Sequence, residues 1–305
     1  MKYFIDTEFL EGSQRKRILG IPTLGLKWDS DNHLEIYKPM TKPTIDLISI
    51  GIVGEDGSEY YAISKDFNLK EAWNRHQKIP MTCLGGIGDT PTFRKEYWIR
   101  NNVLRPIYED LLNRSMDDFD FMASNFMAFN SGFNYRHLKA LIRWYGKSNQ
   151  EIANDIKDFI FEDSNVLISK EGYELGSILY YTVEDDHVKK WKEDNPGYKE
   201  ILKKPTQFYA YFADYDWVAF CWLFGRMIDL PKGFPMYCID LKQISDEIYI
   251  KRKELYYREK KGQGGCFINK MSDHGDYPRQ HNEHNALADA RWNYELYKFL
   301  KEVEV

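Results

Sequence analysis

Phe4-Ile5-Asp6-Thr7-Glu8-Phe9 sets two carboxylates two positions apart in an otherwise apolar run. Side chains alternate across a strand, so Asp6 and Glu8 share one face and stand side by side. Outward from this stretch, Thr44-Ile45-Asp46-Leu47-Ile48-Ser49-Ile50-Gly51-Ile52-Val53 is β-branched and reads as a second strand. Glu55-Asp56-Gly57-Ser58 supplies an Asp-Gly turn, and Glu59-Tyr60-Tyr61-Ala62-Ile63-Ser64 returns as a third strand in an antiparallel hairpin. Ser13 to Pro43 is too long for a minimal link between strands and reads as an insertion.

Helical patterning dominates the middle of the chain. It predicts helices over 96–104, over 106–114 with Pro106 at the first position, and over 134–145 and 149–161, the last with Ile152, Ile156, Phe159 and Ile160 on one face. Residues 163–205 are polar and rich in Lys and Glu. Phe208-Tyr209-Ala210-Tyr211-Phe212-Ala213 reads as a buried strand running into a helix over about 216–227. A further strand is expected over 236–239 and a long charged helix over 241–258. Residues 260–280, rich in Gly and polar side chains, read as a mobile loop. An amphipathic helix opening near His284 and continuing through Leu296 and Leu300 closes the chain.

The 305 residues allow two domains or one enlarged one. Hydrophobic residues at 43% and charged residues at 29% exclude disorder, collagen and coiled coil as descriptions of the whole. The net charge of −5 provides no global positive field, so a nucleic-acid site would have to be local or metal-assisted. No stretch approaches the ~18 apolar residues of a membrane helix, and the opening Met1 to Asp6 meets acid too early for a signal peptide. A soluble, unexported, cytoplasmic protein is expected. Cys83, Cys221, Cys238 and Cys266 form no Cys-x-x-Cys pair and read as reduced thiols.

Asp-x-Glu on one strand face suits a hard divalent cation, because Mg²⁺ and Mn²⁺ prefer oxygen ligands; the alternative is an edge strand with a solvated face. Asp216 stands where a strand hands over to a helix, a place where ligands collect in α/β sheets. Equally, Asp214 or Asp216 would serve as a helix cap. His284 and Asp289 straddle a helix start, so one element can offer both a base and a ligand. The alternative is a surface histidine and an acid favoured by the helix's positive end. His281 is a rival base, whereas zinc held by His281 and His284 does not fit the His-Glu-x-x-His spacing. The basic runs Arg15-Lys16-Arg17, Lys251-Arg252-Lys253 and Lys260-Lys261 read either as solvated surface or as a track for a phosphate backbone.

In their order along the chain, Asp6-x-Glu8, Asp216 and His284-x-x-x-x-Asp289 resemble the His-bearing branch (DEDDh) of the DEDD 3′-to-5′ exonuclease superfamily. More closely, Phe4 to Phe9, Thr44 to Gly51, Glu59 to Ala62, Tyr215-Asp216-Trp217-Val218-Ala219 and His284-Asn285-Ala286-Leu287-Ala288-Asp289-Ala290-Arg291 look like the ribonuclease AS group, exoribonucleases associated with polyadenylate tails. The likeness covers roughly 1–11, 44–72, part of 96–105, 149–162 and 206–300. It implies an α/β, ribonuclease H-like exonuclease fold, a mixed central sheet flanked by helices. It also implies one domain over 1–305, with insertions at about 13–43, 75–95, 106–147 and 163–205.

The resemblance further implies a hydrolase that releases nucleoside 5′-monophosphates from the 3′ ends of single-stranded RNA. Asp6, Glu8, Asp216 and Asp289 would hold two Mg²⁺ or Mn²⁺ ions, with His284 and Glu8 catalytic. Phe9 would stack on terminal bases or else belong to the core; Thr7 and Trp217 are weaker candidates for substrate contact. A homodimer is a further implication. An exodeoxyribonuclease and a catalytically idle nucleic-acid-binding protein are the alternatives.

Overall fold

Strand β1 (Lys2–Gly12) pairs antiparallel with β2 (Thr44–Gly54), and the Asp56-Gly57 turn brings the chain back as β3 (Glu59–Ile63). Gly57 takes the left-handed conformation with φ 88° that this turn needs, and Asp56 Oδ1 accepts from both the amide and the hydroxyl of Ser58. Much later in the chain β4 (Gln207–Ala210) adds parallel to the free edge of β1, followed by the short β5 (Ile239–Asp240) parallel to β4. The order β5-β4-β1-β2-β3 is a mixed central sheet, flanked by helices in an α/β arrangement. These coordinates come from a computed structural model, which describes residues 1–14, 17–18, 21–22, 24–28, 34–37, 39–80, 93–116, 118, 120–121, 132–161, 165–168, 178–181, 186–197, 199–202, 206–260 and 267–304.

The described helices are α1 (Leu69–Asn74), α2 (Arg105–Ser115), α3 (Tyr135–Tyr145), α4 (Asn149–Phe161), α5 (Asp186–Asp194), α6 (Ala213–Phe224), α7 (Leu241–Lys260) and α8 (Ala286–Val303). Alternation along β1 sorts the core into two layers. Tyr3 and Ile5 face α4 and α6, where they meet Ile156, Phe208, Trp217 and Phe220. Phe4 faces the other way, into a layer with Leu241, Ile248, Leu296 and Phe299 from α7 and α8. Beyond the far end of β1, Leu10 joins Ile107 and Leu111 of α2 and Leu138 and Leu141 of α3. Each fully buried large apolar side chain contributes about 1.5–3 kcal/mol, so these layers fix where the strand ends lie.

Gly51 stands directly opposite Asp6 in the β1–β2 register. A Cβ there would run into the backbone of Ala286 and Leu287, so glycine lets the first turn of α8 lie flush on the strand. Asn293 secures the same contact from the helix, donating through Nδ2 to the Ile5 carbonyl at 2.9 Å.

Several expectations from the sequence are corrected. The stretches read as separate helices over 96–104 and 106–114 are continuous: a π turn (Arg100–Leu104) leads directly into α2. The wide turn bonds the Arg105 amide to the Arg100 carbonyl and accommodates Pro106, which has no amide to donate. The strand before Asp216 ends at Ala210, and its helix starts at Ala213 rather than near 216. The 236–239 strand shrinks to Ile239–Asp240. Residues 163–205, read only as polar, include an antiparallel sheet of Asn165–Ile168, Ile178–Tyr181 and Lys199–Leu202, together with α5.

The described part of the 260–280 loop is pinned rather than loose. Met271 is buried, the Tyr249 hydroxyl donates to the Ile268 carbonyl, and Trp292 Nε1 donates to the Pro278 carbonyl. Within 13–43, Arg17–Ile18 pairs with Ile21–Pro22 and Gly25–Trp28 with Leu34–Tyr37. Among the described residues no helix is long and apolar enough to cross a membrane. Cys221 and Cys238 are free thiols, while Cys83 and Cys266 lie outside the described residues.

Candidate active site

Three segments distant in sequence meet around one cavity of about 290 Å³, whose lining includes Asp6, Glu8, Asp216, His284 and Asp289. Asp6 and Glu8 share the β1 face that carries Phe4, the side covered by α8. Just past Glu8 the register slips, Glu8 pairing with Ser49 but Phe9 with Leu47, and such a bulge sharpens the local twist. Thr7 points to the opposite face. Its amide and hydroxyl both donate to Asp216 Oδ1, at 2.8 and 2.6 Å.

Asp216 reaches this point because α6 begins abruptly. Phe212 adopts a left-handed conformation with φ 57°, and its amide donates to Asp240 Oδ1 at 3.2 Å, turning the chain from strand to helix within two residues. Asp216 then falls in the first turn, buried at the helix's positive end, and is not a cap; Asp214 is exposed. At α8 the cap is Asn285, whose Oδ1 accepts from the Ala288 amide at 3.1 Å. His284, immediately before it, is also left-handed with φ 66°, an uncommon state for a side chain that carries a Cβ, and one that histidine adopts more readily than most.

Both oxygens of Asp289 are engaged. Oδ1 accepts from Gln280 Nε2 at 2.6 Å and Oδ2 from the His284 amide at 2.8 Å. The His284 ring turns Nδ1 toward Glu8 Oε1 at 3.6 Å. Donor atoms of Glu8, His284 and Asp289 all lie within 4.8 Å of one another, a spacing that could hold a metal ion.

The electrostatics state the same need. Burial raises the Asp6 carboxyl well above its ordinary range, helped by the charges of Asp216, Glu8 and Asp289. Burial also pushes Asp216 up to about 7, against the stabilising bonds from Thr7. Glu8 and Asp289 are raised by burial as well, opposed respectively by His284 and by the bonds from Gln280 and the His284 amide. Glu8 in turn holds the His284 imidazole above its usual value. Four crowded carboxylates facing one imidazole are short of positive charge, and an all-oxygen set of this kind suits Mg²⁺ or Mn²⁺.

No protein family of known profile matches the chain. Two curated relatives, from the CDC 1551 and H37Rv strains of Mycobacterium tuberculosis, are each named as a 3′-5′ exoribonuclease. Each is 38% identical over 82 residues, which is 26% of this chain and 32% of the relative. Part of this chain is similar to exoribonucleases. It spans about a third of the length of the curated relatives it matches.

Among the remaining candidates, Phe9 is half-buried at the rim of the cavity, with its ring stacked on Tyr215 at 5.5 Å and 19°. Trp217 does not reach the site. Its ring stacks on Phe220 at 5.1 Å within the core, which corrects its reading as a substrate contact. Thr7 spends its donors on Asp216 and is 5% exposed, so it supports a carboxylate more than it offers a surface. His281 is exposed and does not line the cavity.

Lys251-Arg252-Lys253 lies on α7, where Arg252 donates to the Val303 carbonyl. Arg15, Lys16 and Lys261 lie outside the described residues. Sequence reasoning missed Gln280, Asn293 and Gly51, and also Trp98, whose ring centroid lies 4.7 Å from that of His284 with the planes at 72°. Only Asn293 left a signal, standing one helical turn after Asp289 on the same face.

Proposed function

We propose that this chain is a metal-dependent 3′-to-5′ exoribonuclease of the ribonuclease H-like DEDDh type, releasing nucleoside 5′-monophosphates from single-stranded RNA ends. The observation that carries this reading is the meeting of Asp6, Glu8, Asp216 and Asp289 around one cavity with the His284 imidazole 3.6 Å from Glu8. The names of the two mycobacterial relatives support RNA as the substrate.

In this reading Asp6, Glu8, Asp216 and Asp289 hold divalent ions, Mg²⁺ or Mn²⁺. When bound, these supply Lewis acidity, lowering the pKa of an attacking water and stabilising charge on the departing 3′ oxygen. His284 takes the proton of that water. With Nδ1 turned toward Glu8, the ring keeps one orientation and Nε2 is the nitrogen that accepts. Thr7 keeps Asp216 in place, while Gln280 and the His284 amide do the same for Asp289.

His284→Asn is informative because asparagine tolerates the left-handed backbone and keeps the amide bond to Asp289. The expected result is a fall in kcat of about 10²–10⁴-fold with KM little changed. A variant as fast as the parent would remove His284 as the base.

The reading as a whole is tested with 5′-labelled RNA and DNA oligomers of equal sequence, incubated with Mg²⁺ or Mn²⁺. Stepwise shortening of the RNA, blocked by a chelator and yielding nucleoside 5′-monophosphates, is the expected result. Equal rates on DNA would favour the exodeoxyribonuclease alternative. No shortening of either would overturn the assignment.

A further inference from the structure

Gln77–Pro80 and Phe93–Glu96 pair antiparallel as a two-stranded ribbon, which no other strand joins among the described residues. Its root is firmly held. Arg75 donates to the carbonyls of Glu11 and Ser13, and Arg100 donates from Nε to the Trp73 carbonyl at 2.7 Å while lying 3.8 Å over the Tyr97 ring. Gln77 and Glu96, the pair at that root, line a cavity of about 360 Å³ that shares Glu8 and Phe9 with the carboxylate cleft. The ribbon therefore starts at the mouth of the candidate active site. Farther along it Lys78 pairs with Lys95, and Ile79 with Arg94. Alternation puts Arg94 on the same face as Gln77 and Glu96, and the two lysines together on the other. All three cations are exposed, and among the described residues none has an ion-pair partner. Like charges directly opposite one another repel, and a two-stranded ribbon has little stability to spare. A polyanion lying alongside turns that repulsion into attraction.

We propose that this ribbon receives the phosphate backbone of the RNA strand behind its 3′ end, with Lys78, Arg94 and Lys95 each taking a phosphate; the proposal rests on the reading of the substrate as RNA above. The protein needs such a device. Its net charge is −5 and its cleft is lined by four carboxylates, so a strand of phosphates must be drawn in by cations placed beside the cleft. At 3.2–3.4 Å per residue the three side chains root within about 7 Å of the Gln77–Glu96 pair along the ribbon, so they meet the phosphates next to the one being cut. Phe93, 55% exposed, shares the lysine face two positions before Lys95. Cations interleaved with an exposed aromatic ring are what surfaces for single-stranded nucleic acid combine.

The test measures binding of a 5′-labelled RNA octamer by fluorescence anisotropy, in chelator, between about 50 and 200 mM salt. Each phosphate contact to a single strand adds about 0.7 to the slope of log affinity against log salt, so the triple variant Lys78→Gln, Arg94→Gln, Lys95→Gln should be shallower than the wild type by about 2. The pair Lys78→Arg, Lys95→Arg keeps the charges and should keep the slope. Lys251→Gln with Lys253→Gln, on α7, should keep it as well. A triple variant with the wild-type slope, or an equal loss in the α7 pair, would overturn the proposal.

Kinetics with Mg²⁺ give a second check. In the triple variant KM for the octamer should rise about 3- to 150-fold at low salt with kcat nearly unchanged, as three exposed charge pairs allow. A dinucleotide, whose one phosphodiester is the bond that is cut, should be processed as by the wild type. An equal loss on both substrates would mean that the ribbon only props the cleft, and would refute the backbone contact. If the wild type shortens RNA and the slope is the same in every variant, only the ribbon fails. If it binds RNA with the expected slopes but shortens none, the exonuclease reading fails and the ribbon stands. If it binds no RNA, both fall.

Discussion

Asp216→Asn is expected to cut RNA hydrolysis by at least about 10³-fold while making the metal-free protein harder to unfold above neutral pH. Asparagine matches the carboxylate in size and keeps an oxygen to accept both Thr7 donors, so packing is preserved. What is lost is the charge of a group proposed above as a metal ligand, and ions that stabilise a transition state contribute several kcal/mol at about 1.4 kcal/mol per tenfold.

The stability change has a definite sign. Burial pushes the Asp216 carboxyl up to about 7, so the folded protein holds this proton more tightly than the unfolded chain does. Stability therefore falls as pH rises from about 4, near the unfolded value, and the loss is complete only above the folded value. A neutral amide escapes this loss. Thermal unfolding in chelator at pH 5 and pH 8 should show the variant gaining on the wild type far more at the higher pH. Mn²⁺ should raise the wild-type Tm more than that of the variant. A difference between the two proteins that is flat across pH would show that the buried charge is not what the fold is resisting.

Gly51→Ala is the second large effect, and it touches no group proposed to act in catalysis. The added Cβ would overlap the carbonyl carbon and oxygen of Ala286 and lie 2.5 Å from Leu287 Cα. All three are backbone atoms, so no side chain can swing aside, and the first turn of α8 must retreat from the sheet. Ala286 follows the Asn285 cap directly, with His284 two residues before it and Asp289 three residues after. The retreat carries both groups away from Asp6, which pairs with Gly51 across the strands.

Overpacking of this kind costs about 1–3 kcal/mol or more, and misplacement of reacting groups by ~1 Å can cost ~10²-fold in rate. The expected result is a lower Tm with kcat reduced ~10²-fold or more, and weaker Mn²⁺ binding by calorimetry. Parent-like Tm and kcat together would mean that α8 is not seated through this contact.

Much of the site was legible because its logic is local. Period-two alternation alone puts Asp6 and Glu8 on one face of β1, and the Asp56-Gly57 turn alone predicts the β2–β3 hairpin. The final helix and the placement of His284 ahead of it follow from helical spacing near Asn285. Other features depend on partners far away in sequence. Whether Asp216 caps a helix or enters a cavity turns on Thr7, 209 residues away. Trp217 and Trp98 look alike as letters, yet packing against Phe220 buries one, and a π turn braced by Arg100 leaves the other beside His284.

The sequence by itself determined which residues alternate, which turn and which cap, because those preferences act over a few bonds. Only the tertiary structure decided that four acids share one pocket, that Gly51 admits α8, and that an exposed indole faces the imidazole. Each of these depends on which surfaces the hydrophobic layers press together, and that is a property of the whole chain.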